Sequence, residues 1–401
     1  MGELEDCKIR LLLLRMIDFN QKQNVFITCK DRSVVYLEQE LRELGFFPKS
    51  ISRTGIEISA SMEDCMDLNL HLRTASLVLY ELKSFYLHDA EDIYRRFKAI
   101  PWEEYLDVDG YFSVQSTAEN ESITTPLIVN VKVKDAIVDR FRQIYGRRPD
   151  SGPDLSGLVI QVYWKGTDAT VYLNTSGETL AKHGYRKIPG KAPMMESLAA
   201  STIMATEWNT RVPFINPMCG SGTLAIEAAL MASKRYPGLF RDEYAFQQIK
   251  GYKEEAYQAK KRKLEQKVIH DPGVKIIASD ISLQAVSFAQ ENAAYAGVEH
   301  MIEFEVCDFA ETQIPEGPKG VIMFNPEYGE RLGENSELEE VYKRMGDFMK
   351  QKCAGYRGYI FTGNMELAKK VGLKASRRIE FWNATIDCRL LKYDLYQGKR
   401  D

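Results

Sequence analysis

From about residue 177 the chain alternates short apolar runs with long helical segments, and that alternation restricts its fold more than any other feature. Runs at 212–215, 275–279, 302–306, 320–324 and 358–362 read as strands with helices between them. Strands joined by helical crossovers lie parallel and are covered on both faces, so residues 177–401 are expected to form an α/β domain around a parallel sheet. The upstream half lacks the pattern. Residues 1–23 form an N-terminal extension and 24–88 a small α+β unit, with a strand at 25–28 and a helix at 34–44 stopped by Gly45. Residues 89–176 carry mixed elements. A strand is expected at 111–116. A helix at 130–145 presents Val131, Val133, Ile137, Val138, Phe141 and Ile144 as its apolar residues. Strands at 158–163 and 169–174 flank Lys165-Gly166-Thr167-Asp168, which reads as a hairpin turn. Residues 236–267, rich in Lys, Glu and Tyr, read as an insertion.

A chain of 401 residues exceeds one core, which fits several domains. No run of about 18 uncharged apolar residues is present, so no membrane span is expected. The Leu11 to Leu14 run is bracketed by Arg10 and Arg15 and is too short for a signal segment. The seven cysteines show no C-x-x-C spacing and the five histidines no metal spacing. Unpatterned thiols fit a reducing compartment, so a cytoplasmic protein without metal is expected. A net charge of −4 argues against coating nucleic acid non-specifically. A local patch remains open. Between 130 and 150, Lys132, Lys134, Arg140, Arg142, Arg147 and Arg148 outnumber Asp135 and Asp139. Such a run is either a solvated helix face or a phosphate-binding surface, the second reading resting on Lys132, Lys134, Arg147 and Arg148.

Four motifs carry chemistry. Asn216-Pro217-Met218-Cys219-Gly220-Ser221-Gly222-Thr223 follows the first strand and opens a helix. Its glycines permit a tight turn and close approach of a ligand. A dinucleotide loop is the competitor, but an apolar, Cys-containing loop suits an uncharged nucleoside with a methionine tail better than a pyrophosphate. Asp280 ends the second strand, with Ile281 next. It can accept both ribose hydroxyls, or it can cap the helix at 283–295, a task Ser282 could also perform. Cys307-Asp308 follows the third strand, where the Asp can accept from an adenine amine or merely open a loop. Asn325-Pro326-Glu327-Tyr328-Gly329-Glu330-Arg331-Leu332 follows the fourth. An amide oxygen and the next carbonyl can both accept from an exocyclic NH2, drawing its lone pair out of conjugation. An adjacent aromatic ring can stack on an extruded base.

At these residues the chain resembles the THUMP-domain RNA methyltransferases that modify guanine N2, in the part matching the N-terminal half of the bacterial 23S rRNA enzymes. Leu72-Arg73-Thr74-Ala75-Ser76, Lys98-Ala99-Ile100-Pro101-Trp102, Val133-Lys134-Asp135-Ala136-Ile137-Val138-Asp139, Thr175-Ser176-Gly177, His183-Gly184-Tyr185-Arg186, Ala192-Pro193, Glu196-Ser197-Leu198-Ala199-Ala200, Pro237-Gly238-Leu239, Asn383 and Cys388-Arg389-Leu390-Leu391 extend the match over nearly the whole chain. The resemblance implies a Rossmann-like, seven-stranded methyltransferase domain preceded by ferredoxin-like (24–88) and THUMP (89–176) regions that grip structured RNA. It implies S-adenosylmethionine (SAM) as cofactor, held by residues 216–223, Asp280, Ile281, Cys307, Asp308 and Asn325. It gives Asn325, Pro326 and Tyr328 the target base. Three positions depart from the family pattern: Asn216 stands for Asp, His183 for Arg, and Glu327 for the second Pro of N-P-P-Y. The sequence ends after this domain, so the second methyltransferase of fused relatives is not expected. The alternatives are an inactive RNA-binding assembly factor, motivated by Glu327, an adenine-N6 methyltransferase, and a nicotinamide dehydrogenase, which leaves Asn325 to Tyr328 unexplained.

Overall fold

The computed structural model describes residues 17–121, 123, 125–188, 193–328 and 335–396. Cys7, the Leu11 run, most of the N-terminal extension, Ala192 and Gly329-Glu330-Arg331-Leu332 lie outside them. Two compact units emerge. The first comprises the described residues of Met1–Thr28, Glu40–Leu180 and Arg241–Arg262, the second those of Cys29–Gln39, Ala181–Phe240 and Lys263–Asp401.

The first unit is built on an eight-stranded sheet ordered β2-β3-β1-β4-β8-β7-β5-β6. Its strands are β1 (Gln23–Cys29), β2 (Ser50–Ser52), β3 (Gly55–Ala60), β4 (Ala75–Tyr86), β5 (Tyr111–Glu119), β6 (Asp150–Ser151), β7 (Leu158–Lys165) and β8 (Asp168–Asn174). The regions expected at 24–88 and 89–176 share this sheet, because the 12-residue β4 pairs antiparallel with β8. Lys165 pairs directly with Asp168, leaving a two-residue turn with Gly166 at φ +57°. Glycine at the first central position matches the twist of a hairpin. Helix Val34–Glu43 ends at Gly45, φ +86°, with Phe46 N–H reaching Leu41 O at 2.8 Å, a glycine C-cap as expected.

The helix expected at 130–145 begins earlier, at Pro126–Tyr145. Thr125 caps it and proline occupies its first turn, a start signal the apolar spacing alone does not carry. Val129, Val133, Ile137 and Phe141 bury, whereas Val131 is 51% and Ile144 46% exposed. Val131 sits two residues from Val133, about 200° round the helix. Ile144 keeps the stripe's spacing but lies in the last turn. Much of the expected insertion packs within the first unit: Phe246 N–H bonds Thr175 O (3.0 Å), Arg241 reaches Ser176 O (2.7 Å), and Lys260 pairs with Asp67 (2.6 Å).

The second unit holds a seven-stranded sheet ordered β11-β10-β9-β12-β13-β15-β14. These are β9 (Phe214–Pro217), β10 (Ile276–Asp280), β11 (Ile302–Val306), β12 (Val321–Phe324), β13 (Arg357–Thr362), β14 (Arg377–Asn383) and β15 (Ile386–Asp394). The first five are parallel, and β15 and β14 close the sheet antiparallel. Successive residues feed opposite faces. Phe214, Ile276, Val321 and Met323 join one apolar cluster, while Ile215, Ile277, Ile322 and Phe324 join the other. Burial on both faces explains why these strands read as continuous apolar runs. Among the described residues no helix is long and apolar enough to cross a membrane.

Candidate SAM and base site

Strand order reverses between β9 and β12, which lie side by side although β10 and β11 separate them in sequence. In open α/β sheets the carboxyl ends of strands at such a reversal border a crevice. The glycine motif ends β9, and Asn325 follows β12.

β9 runs two residues further than its apolar pattern suggested, so Asn216 and Pro217 are strand residues. The chain then takes three left-handed conformations in five residues: Met218 (φ +62°), Gly220 (φ +55°) and Gly222 (φ +85°). At Met218 that conformation costs about 1–2 kcal/mol, a strain the surrounding bonds must offset. The coil turns Cys219 N–H onto Ser279 O (2.8 Å) and Gly220 N–H onto Asp280 Oδ2 (3.0 Å). A Cβ at Gly222 would lie 2.8 Å from Ala289 Cβ, so packing and φ both demand glycine. A Cβ at Gly220 would meet nothing within 4 Å. That open space beside a tight backbone is where a ligand can approach the loop.

Asp280 stands between two backbone segments, its Oδ1 accepting from Ser282 N–H at 3.0 Å. Ser282 caps helix Leu283–Tyr295, accepting from Ala285 N–H, so the capping alternative for Asp280 falls to its neighbour. Ile281 and Leu283 are 74% and 71% exposed, an apolar surface beside the carboxylate on which a flat ring can lie. Cys307 N–H bonds Asp280 O (3.1 Å), joining the third motif to the second. Asp308 accepts from Ala310 N–H (2.9 Å) and from Arg344 (2.7 Å), both at Oδ1. Burial alone would raise its carboxyl. The Arg344 hydrogen bond, the Ala310 amide and the Arg344 charge outweigh burial and hold the pKa below the usual range. The thiols of Cys219 and Cys307 are pushed up, chiefly by burial, and stay protonated.

Asn216 is fully buried and its Nδ2 donates to Met323 O at 2.9 Å, tying β9 to β12 two residues before Asn325. A carboxylate there could not donate, so asparagine suits this bond where the family pattern has aspartate. Asn216 Oδ1 is buried without a hydrogen-bond partner. Beyond β12, Asn325 is half-buried, Pro326 buried and Glu327 exposed. Tyr342 Oη reaches Glu327 O at 3.4 Å, and Asn364 Nδ2 reaches Tyr328 O at 3.4 Å, holding the loop's backbone from two sides.

Further side chains brace the glycine loop. Asn292 Nδ2 donates to Ser221 O (3.3 Å) and Ile188 O (2.9 Å), while its Oδ1 accepts from Lys187 and Ile188 N–H. Arg186 donates to Thr223 Oγ1 at 3.0 Å. His183 Nδ1 lies 2.7 Å from Glu227 Oε1, both side chains fully buried. Sequence reasoning passed over Asn292. Its signal was an amide on the same buried helix face as Val286, Ala289 and Ala293.

The basic residues of the first unit are mostly engaged. Lys132 pairs with Glu91, Arg147 with Asp109 (3.0 Å at its second nitrogen) and Arg142 with Asp139 (3.6 Å). Arg140 grips Glu103 with two bonds, at 2.7 and 2.6 Å. Arg148 reaches the Pro149 carbonyl (3.4 Å), and Lys134 is exposed. Among the described residues no His/Cys/Asp/Glu group is arranged to hold a metal.

Fit to SAM follows from this geometry. The glycine turn leaves room at Gly220, Asp280 presents a carboxylate with exposed apolar neighbours, and Asn216 keeps an unpartnered buried acceptor behind the loop. Comparison with known proteins agrees. Residues 183–392 match the model of the RMKL-like methyltransferase domain, 88–174 that of the THUMP domain, and 25–79 that of the RlmL ferredoxin-like domain. The chain is 36% identical to a ribosomal RNA large subunit methyltransferase K/L of Psychromonas ingrahamii, over 89% of this chain and 48% of that protein. It spans about half the length of the curated relatives it matches. The solved structure of SMU.472, described as a methyltransferase and complexed with SAH, superposes with a TM-score of 0.85 at 25% identity, covering 95% of this chain and all (100%) of that one. A Listeria monocytogenes protein described as an N6-adenine-specific DNA methylase superposes with the same TM-score of 0.85 at 26% identity, over 96% and 98%. With the family model spanning residues 183–392, more than half its length, the chain belongs to the RMKL-like family of SAM-dependent methyltransferases.

Proposed function

We propose that this chain methylates the exocyclic N2 amine of a guanine in large-subunit (23S) rRNA, acting in the cytoplasm. The observation that carries the reading is the Asn216–Met323 bond. It ties the strand leading into the glycine turn to the strand leading into Asn325 and Pro326. Residues 216–223 would cradle the cofactor, Asp280 accept its ribose hydroxyls, Ile281 face its base, and Cys307 and Asp308 border the adenine, with Asp308 Oδ2 left to meet the amino group. Bound SAM supplies an electrophilic methyl group.

The chain's own groups prepare the amine. Asn325 Oδ1 and the Pro326 carbonyl accept its two N–H bonds, which fixes the amine and turns its lone pair out of the ring's conjugation. Acceptors already in place need no reorganisation as charge develops, the usual source of such rate gains. Tyr328 offers its ring to the extruded base. Glu327 is exposed, so its carboxylate is solvated and is tolerated rather than catalytic. The THUMP and ferredoxin-like matches support an RNA partner recognised by shape and backbone.

Mass analysis of nucleosides from unmodified large-subunit rRNA, incubated with SAM with and without the protein, tests the reading. N2-methylguanosine is the expected product. N6-methyladenosine would replace it with the adenine reading, which the Listeria neighbour favours. RNA binding with no methylated nucleoside would favour an assembly factor.

A further inference from the structure

We infer that Asn383 is a positioning residue for the target base, acting through the hydroxyl of Tyr328. The inference rests on the base-handling role proposed for Tyr328. Asn383 ends β14 at the tip of the closing hairpin, directly before Ala384, whose φ of +52° turns the chain into β15. From there its Nδ2 donates to Tyr328 Oη at 2.7 Å across 55 residues of sequence. Cys388, buried on β15, approaches the same oxygen with its sulfur at 3.9 Å. At the other side of the ring, a Cβ on Gly363 would lie 3.2 Å from ring carbons Cδ2 and Cε2, so the ring rests against bare backbone. The ring is thus set by the hairpin at its hydroxyl and by Gly363 along one edge.

This arrangement divides the work of the tyrosine. With its oxygen accepting from Asn383, the hydroxyl faces the protein, and what remains for a base is the ring. Tyr328 then contributes a stacking surface of fixed tilt. Fixed tilt matters because acceptors at Asn325 and Pro326 help only when the base plane brings its amine into their reach, and a misplacement of about 1 Å can cost around a hundredfold. The hairpin is itself tied down: Arg32 pairs with Asp387, lies 3.5 Å from Glu380 and stacks 4.6 Å over the Trp382 ring, while Tyr36 stacks on Phe381 at 5.7 Å. Asn383 is therefore presented from a braced element.

The test is a double-mutant cycle with Tyr328→Phe and Asn383→Leu, read by single-turnover methyl transfer to an unmodified large-subunit rRNA transcript. Each substitution alone should slow transfer by about tenfold, the scale of one lost buried hydrogen bond, with SAH binding unchanged. Asn383→Leu should have no further effect in the Tyr328→Phe background, because its only route to the base has gone. Asn383→Asp should retain most of the rate, since the tyrosine can then donate to the carboxylate. Multiplicative losses in the double variant, or an Asn383→Leu rate equal to the parent's, overturn the inference. Should Asn383→Leu fail to bind SAH, Asn383→Ser, too short to reach, completes the same cycle. A parent that methylates no rRNA removes the functional reading instead. The tether is then read without turnover by 19F NMR of 3-fluorotyrosine at position 328, whose resonance must shift in Asn383→Leu if the bond exists; an unmoved resonance overturns the inference.

Discussion

The strand ends of the second unit and the basic helix of the first unit are opposite cases of how a functional surface is built. At the strand ends, the groups proposed to meet cofactor and base are left available by the fold. Gly220 faces open space, Asn325 is half-exposed, and Asp280 is held by two backbone amides rather than by a counter-ion. On the helix Pro126–Tyr145 and the turn after it, Lys132 and Arg147, two of the four expected phosphate-binding charges, already have acidic partners in Glu91 and Asp109, as Arg140 and Arg142 have in Glu103 and Asp139. Exposed ion pairs are worth only about 0–1 kcal/mol, so a phosphate can displace Glu91 or Asp109 at small cost. The half-buried bidentate Arg140–Glu103 pair is a structural brace. A motif at a strand end declares itself, whereas a charge declares itself only once its neighbours are known.

The sharpest way to break this comparison is at Asn325. Asn325→Ala should leave SAM binding largely intact in calorimetry and lower single-turnover transfer by about a hundredfold or more, as for a group acting mainly in the transition state. An unchanged rate would make Asn325 structural and the strand-end reading wrong.

Next in size is the cofactor pocket. Asp280→Ala should weaken SAM binding by about 1–3 kcal/mol, by loss of ribose bonds and of the Gly220 tether together. Asp280→Asn separates the two, since this isostere keeps an acceptor for one amide at the same reach but no charge. NADH binding in place of SAM in the same titration would instead revive the dinucleotide alternative for the loop.

Glu327 sharpens the picture from the other direction. Because its side chain is exposed, Glu327→Pro should transfer methyl at least as fast as the parent, with the turn stiffened at fixed φ. A drop beyond about tenfold would identify Glu327 as a working general base.

The smallest effects belong to the basic helix. If phosphates meet this surface, Lys134→Ala and Arg148→Ala should each flatten the salt dependence of RNA affinity by about 0.7–0.9 in slope, with SAM affinity unmoved. Lys132 and Arg147 must first leave Glu91 and Asp109. Glu91→Gln should therefore strengthen RNA binding slightly, and filter binding across a salt series measures both. RNA affinity indifferent to salt would remove the patch from the interface.

Most of the second unit could be read in advance because its signals are local. A parallel strand buried on both faces is an apolar run, and β11 and helix Leu283–Tyr295 fall where their spacing placed them. The order of motifs along the chain likewise fixed which strand ends carry the glycine turn, Asp280, Asp308 and Asn325. The two-residue extension of β9 was not legible, since Asn216 and Pro217 carry no apolar signal. Only pairing with β10 and β12 keeps them extended, and that extension aims the Asn216 amide at Met323.

Other features belong to the tertiary structure for the same reason: they depend on residues far apart in sequence. That Asp280 also holds the glycine turn was not legible until Gly220, 60 residues away, came within 3.0 Å of the carboxylate. Lys132 read as a free cation until Glu91, 41 residues away, lay beside it. The sheet common to residues 24–88 and 89–176 exists because β4 finds β8, and Tyr328 finds Asn383 only when the hairpin folds back. Backbone conformation and burial are written in local pattern. The partner of a charge or an amide is set by which distant segments the sheets bring together, and one sequence carries no periodicity that encodes it.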